Sequence, residues 1–242
     1  MRLIKHLTIL ALFSLVIRAS IQQTRGREED FANQPGAGIN APTRSQGKIS
    51  ILSFDARSLP GEIRYQGKIV MGARWIDSNG ENILLLTQTG KFPSKGKCDV
   101  DHGDGISCFD AEVYAYNYVR KDGDVSLLWK IKDFERDCPF DLYAGFLKKS
   151  LFITDLDSNG VAESLFLYTV SCRSDVSPAR LKLIMHEGAT KYAIRGTTKH
   201  PEILGGGAIN IDPSFKQAKP VLRNFAVEKW NKYVTKDDFE SF

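Results

Sequence analysis

The chain has 242 residues, of which 42% are apolar and 26% charged, with a formal net charge of +4. That length suits one large domain or two small ones, and the composition is that of a globular body rather than a disordered chain. Three of the 33 basic residues (Arg2, Lys5 and Arg18) and none of the 29 acids lie in residues 1–20. The rest is close to neutral and gives no ground for a nucleic-acid partner.

Residues 1–20 begin basic, continue with the apolar run Leu7 to Ile17 and end Arg18-Ala19-Ser20. This is the pattern of a secretory signal peptide, and the run is too short to span a bilayer comfortably. No transmembrane segment is expected once it is cleaved, and an uncleaved anchor is the alternative. Residues 21–48 are polar, with Gly, Pro, Gln and Asn, and are expected to form a flexible linker. A single β-rich domain is expected over 49–235, with 236–242 as a frayed tail. The chain is therefore expected to be exported, to the periplasm, to the outer surface or as a secreted protein.

Within the domain, Ile49 to Phe54 can form a strand, and Ser58-Leu59-Pro60-Gly61 a turn. The Glu62–Trp75 stretch leads to Asp77-Ser78-Asn79-Gly80, a hairpin turn with Asn82 to Thr89 as its return strand. A loop over 90–110 contains Cys98 and Cys108, and its acids Asp99, Asp101 and Asp104 read as solvated more readily than as a cation site. Glu112 to Val119 alternates like a half-buried strand, with Ser126 to Ile131 as its partner and Trp129 in the core. Residues 133–141, DFERDCPFD, look acidic and irregular.

The stretch 151–170, LFITDLDSNGVAESLFLYTV, is the most informative. Asp155, Asp157 and Asn159 stand at alternate positions, Gly160 permits a sharp turn, and Glu163 follows. Hard oxygen ligands at this spacing suit calcium rather than zinc or copper. Aromatic and β-branched flanks indicate strands, so the picture is a hairpin carrying a cation at its tip. The competing reading is a plain Asn-Gly turn with solvated acids. The Asp77–Gly80 turn repeats the core of this loop 80 residues upstream, with Trp75 where Asp155 stands, and reads as a turn without metal.

Further on, 180–185 and 191–195 form a strand pair. Asp212-Pro213 looks like a helix start. Pro220 forces a kink or a fresh start, and beyond it Val221, Leu222, Phe225, Ala226, Trp230 and Tyr233 make one apolar face. Eight to ten strands, short connections and one convincing helix predict a mostly β fold. It would be an antiparallel meander or partial-propeller-like set of sheets with one C-terminal helix.

Four cysteines in an exported chain favour disulfides. Of the three connectivities, Cys98–Cys108 with Cys138–Cys172 is preferred, and zinc is disfavoured because no CxxC pair or histidine stands at ligand spacing. Arg173 and Asp175 are candidates for binding a polar ligand, or for pairing with each other. The acids Asp133, Glu135, Asp137 and Asp141 are candidate glycosidase carboxylates, or an ordinary charged loop. His186 is expected to be exposed beside its turn, and His102 and His200 lie in loops without a catalytic signature.

The hairpin ITDLDSNGVAE resembles the calcium-loop hairpins of integrin-type (FG-GAP) β-propeller repeats. A longer resemblance rests on ARWIDSNGENILLLTQTG, on ITDLDSNGVAESLFLYTVSCRSDVSPARLKLIMHEGATKYAIRG and on DPSF…WNKY. These pieces span most of residues 73–233 and look like a small bacterial family of surface polysaccharide biosynthesis proteins. The resemblance implies an exported bacterial envelope protein linked to surface polysaccharide and supplies no catalytic residues. The expected function is a non-catalytic, calcium-stabilised β-domain that binds glycan or an envelope protein. The alternatives are an enzyme acting on surface polysaccharide through an acidic site, and a structural or assembly factor.

Overall fold

The computed structural model describes residues 48–96, 107–175, 177–200 and 205–235. The expected signal and tail, and the linker up to residue 47, lie outside these, as do Cys98 and the acids at 99–104. The strands are β1 (Ser50–Leu52), β2 (Lys68–Asp77), β3 (Gly80–Gln88), β4 (Phe92–Pro93), β5 (Phe109–Lys121) and β6 (Asp124–Cys138). They continue with β7 (Asp141–Phe146), β8 (Phe152–Thr154), β9 (Glu163–Arg173), β10 (Arg180–Glu187), β11 (Thr190–Thr197) and β12 (Ile209–Ile211). A single α-helix, α1 (Pro220–Tyr233), follows.

These strands form two six-stranded antiparallel sheets. The first is ordered β1-β2-β3-β5-β4 with β6 also on β5, and the second β12-β11-β10-β9-β7 with β8 also on β9. The fold is thus mostly β, built of antiparallel meanders, with one C-terminal helix. The sheets share an inner core: Trp75, Leu84, Leu86, Val113 and Ala115 from the first meet Phe146, Phe166, Tyr168, Val170 and Ile184 from the second.

Each outer face is covered as well. On the first sheet, Ile83, Leu85, Tyr114, Tyr116 and Tyr118 pack under Phe54, Leu59 and Ile63. The Tyr116 and Tyr118 hydroxyls accept hydrogen bonds from the backbone of Gln66 and Arg64. On the second sheet, Leu165, Leu167, Leu181, Leu183 and Met185 pack under Phe215, Leu222, Ala226, Trp230 and Tyr233. Central strands buried on both faces read as continuous apolar runs, as in Ile83-Leu84-Leu85-Leu86. For the same reason β5, which looks half-buried by its alternation, is buried on both sides: Val113 and Ala115 face inward, and the tyrosines lie under the 54–63 segment.

Residues 133–138 are not irregular but complete the 15-residue β6. Its acids are tolerated there because the facing sheet neutralises them. Asp133 pairs with Lys182 and Glu135 with Arg180. At Pro220 the chain makes a fresh helical start rather than a kink. Asp212 caps only a short 3-10 turn, Pro213–Lys216, by accepting the Ser214 N–H at 3.0 Å, and α1 begins at Pro220. A proline can occupy the first helical position but not the interior, so Pro220 divides the two segments. Gly196 lies under the helix. A Cβ there would stand 1.7 Å from the Ala208 carbonyl oxygen and 2.9 Å from Trp230, so only glycine lets these elements approach.

Cys138, at the end of β6, is bonded to Cys172 in β9, which ties the two sheets together across 34 residues of chain. Cys108 is also disulfide-bonded, and its expected partner, Cys98, lies outside the described residues. Among the described residues no helix is long and apolar enough to cross a membrane. A compact, disulfide-bonded β domain of this kind fits an exported protein. Replacing Cys138 and Cys172 together by alanine is expected to cost about 4 kcal/mol, because the unfolded chain regains the freedom of a loop of this length. Urea unfolding of the double variant checks this, and a loss well under about 1 kcal/mol would contradict it.

Candidate metal centre

The 155–163 loop joins β8 to β9 at one end of the sandwich. Its shape follows from two left-handed residues, Ser158 at φ 56° and Gly160 at φ 79°. The loop's own acids hold those turns. Asp155 accepts the N–H groups of Asn159 at 3.0 Å and Gly160 at 3.2 Å, and Asp157 accepts that of Asn159 at 3.1 Å. Short carboxylates are suited to such turns because they bond to the backbone a few residues on.

Carboxylate oxygens of Asp155, Asp157 and Glu163 lie within 4.8 Å of one another, so these three residues could hold a metal ion. Glu163 opens β9 and is fully buried. Its Oε2 accepts the Thr154 hydroxyl and the Leu156 N–H, both at 2.9 Å. Its Oε1 is buried and has no hydrogen-bond partner among the described residues. Burial, reinforced by the negative charges of Asp157 and Glu187, pushes the Glu163 carboxyl up to about 7 against the two hydrogen bonds that it accepts. A cation beside it would favour the ionised form.

Asn159 lies at the loop tip, turned partly away from the acids. Its Oδ1 accepts the Val161 N–H at 2.7 Å, and its Nδ2 donates to Asp157 and, at 2.5 Å, to Glu187. Lys219, the residue preceding α1, places its Nζ 2.5 Å from Asp157 Oδ2. Neither Lys219 nor Glu187 stands out in the sequence as part of this site. Lys219 is 56 positions beyond Glu163, and only docking of the helix on the second sheet brings it here.

The upstream Asp77–Gly80 turn is a brace for the loop. Asp77 Oδ2 accepts the indole N–H of Trp75 and the N–H of Ala162, both at 3.1 Å. The Ser78 N–H donates to the Gly160 carbonyl at 2.8 Å. Trp75, standing where the downstream loop has Asp155, thus fixes the carboxylate that holds the loop. Beside the loop opens a cleft of about 530 Å³, lined among others by Asn79, Asn159, Val161, Glu187 and Leu128.

The other candidate residues do not converge. Arg173 and Asp175 make no ion pair with each other. Both fasten the following turn through Ser177, Arg173 by donating to its carbonyl and Asp175 by accepting its N–H at 2.8 Å. Arg173, but not Asp175, lines a separate cavity of about 330 Å³ next to Cys172. Asp133 and Glu135 are committed to ion pairs between the sheets, and Asp137 accepts the Ser94 hydroxyl. His186 is not exposed at its turn but 4% accessible, stacked on Trp129 with ring centroids 4.0 Å apart. It occupies an inward-facing position of β10, where a side chain so close to a turn is still covered by the other sheet. Compared with family models, curated proteins and solved structures, the chain has no match.

Proposed function

We propose that this protein is an exported bacterial envelope β-domain, non-catalytic and stabilised by calcium bound in the 155–163 loop, that engages a glycan or an envelope protein. One observation carries the metal reading: the fully buried Glu163 has an unpartnered oxygen beside two further carboxylates. A buried ionised carboxylate without a countercharge is costly, and a divalent cation with oxygen ligands offsets that cost. Calcium is favoured over transition metals because every ligand offered is a hard oxygen. The cleft beside the loop, with the polar Asn79 and Glu187 around apolar Leu128 and Val161, is where a polar partner would dock. The link to surface polysaccharide rests on sequence resemblance. An enzymatic reading has less support, since the acids at 133–137 are engaged in ion pairs and a hydrogen bond.

The test is thermal unfolding with excess calcium and with a chelator, for the native chain and for Asp157→Ala. Calcium at about 100 times its dissociation constant should stabilise the native chain by roughly 2.7 kcal/mol. For a domain of this size that is a rise of about 5–10 °C. The rise should vanish in Asp157→Ala. Superimposable melts of the native chain in calcium and chelator would reduce the loop to a hydrogen-bonded turn.

A further inference from the structure

We infer that Lys219 is a tethered competitor for the cation of the 155–163 loop, so that metal binding requires its ammonium to leave Asp157. This rests on the metal reading above and adds a regulatory residue supplied by another element.

The Asp157 side chain is only 4% exposed, yet Lys219, itself 59% exposed, reaches it from the surface. The ammonium contacts Oδ2, while Oδ1 accepts the Asn159 N–H. Lys219 thus supplies a single positive charge to one member of the acidic triad. It leaves the Glu163 Oε1 without a hydrogen-bond partner. A calcium ion needs several oxygens at about 2.3–2.6 Å. A calcium ion on Asp157 and an ammonium on the same carboxylate would be like charges a few ångströms apart, and would repel. The two ligands therefore exclude each other at Asp157.

The backbone of Lys219 is poorly placed to move. It is extended, at φ -59° and ψ 140°, and Pro220 disfavours the helical alternative for the residue before it. Behind it, α1 is anchored by the buried Leu222, Ala226 and Trp230. Exchange with metal is therefore a swing of the side chain into solvent. An exposed lysine loses little by that move, so the competition should weaken cation affinity by a modest factor rather than abolish binding. Its effect is to shift the loop toward the weaker cation affinities seen in extracellular modules.

Calorimetric titration of the full chain with calcium chloride tests the inference on the native protein, Lys219→Gln and Lys219→Arg. Lys219→Gln should bind roughly threefold to tenfold more tightly, and Lys219→Arg should stay near the native value. Tighter binding by Lys219→Gln supports the inference even if the native chain binds too weakly to measure. Equal or weaker binding by Lys219→Gln, with the native chain still binding, overturns it and leaves the metal reading intact. No binding by any of the three overturns both.

Discussion

Trp230→Ala is expected to lower stability by about 3–5 kcal/mol, the usual cost of emptying a buried aromatic site. The corresponding fall in melting temperature is about 10 °C. Trp230 is 1% exposed and lies in the cluster that joins α1 to the second sheet. Its ring is received above Gly196, where a Cβ would come within 2.9 Å of it. Truncation therefore removes a side chain packed against Gly196, and a rigid sheet cannot collapse into the space. Tyr233 and Leu222 remain, so the helix should loosen before it detaches. Chemical unfolding followed by far-ultraviolet circular dichroism checks the value. A variant that unfolds within about 0.5 kcal/mol of the native chain would mean that α1 is not held by this contact.

Mild acidification should cost the native chain stability relative to His186→Phe, because the buried His186 resists protonation. The ring is packed on Trp129, next to Lys191 across the β10–β11 pair and Ser164 across the β10–β9 pair. Neither ring nitrogen has a hydrogen-bond partner among the described residues. Burial, with a smaller contribution from Lys191, lowers its pKa from 6.5 to about 3. The unfolded chain then takes up a proton below pH 6.5 that the folded chain refuses, so this contribution is complete above 6.5 and is lost as the pH falls toward 3. Each pH unit within that window is worth up to about 1.4 kcal/mol.

Other groups titrate nearby, and the comparison with His186→Phe isolates the histidine. Glu163 has the opposite sign. Its carboxyl is raised from 4.5 to about 7, so its penalty is relieved as the pH falls through that range. Glu112 and Asp212 are each lowered to about 2 and lose their contributions only at lower pH. Between pH 6.5 and 4.5 the difference between native and variant curves should therefore grow by about 2–3 kcal/mol. The variant also keeps the stack on Trp129 while deleting two unpartnered polar atoms, which should make it slightly more stable at neutral pH. Parallel curves across that window would show that His186 is charged, or solvated, in the folded chain.

Much of the architecture was legible in the sequence for a local reason. Apolar runs bounded by Asn-Gly, Asp-Gly and Glu-Gly turns specify strands and hairpins within a few residues of chain. The antiparallel meander, the C-terminal apolar stripe and the alternate oxygens of the 155–163 loop all belong to this class. The pairing of Cys138 with Cys172 was also within reach, because four cysteines allow few connectivities.

What the sequence could not show depends on contacts between distant elements. The continuation of β6 through Asp133 and Glu135 is decided by Lys182 and Arg180 on the other sheet. The burial of His186 is decided by Trp129. At the candidate site, Asp155, Asp157, Asn159 and Glu163 are a property of nine consecutive residues and were legible there. The brace from Asp77 and the competing charge of Lys219 come from 78 residues before Asp155 and 56 after Glu163. They exist only because the sheets stack and the helix docks. Local chemistry determined which atoms the loop offers to a cation, and tertiary packing decided which charges surround them.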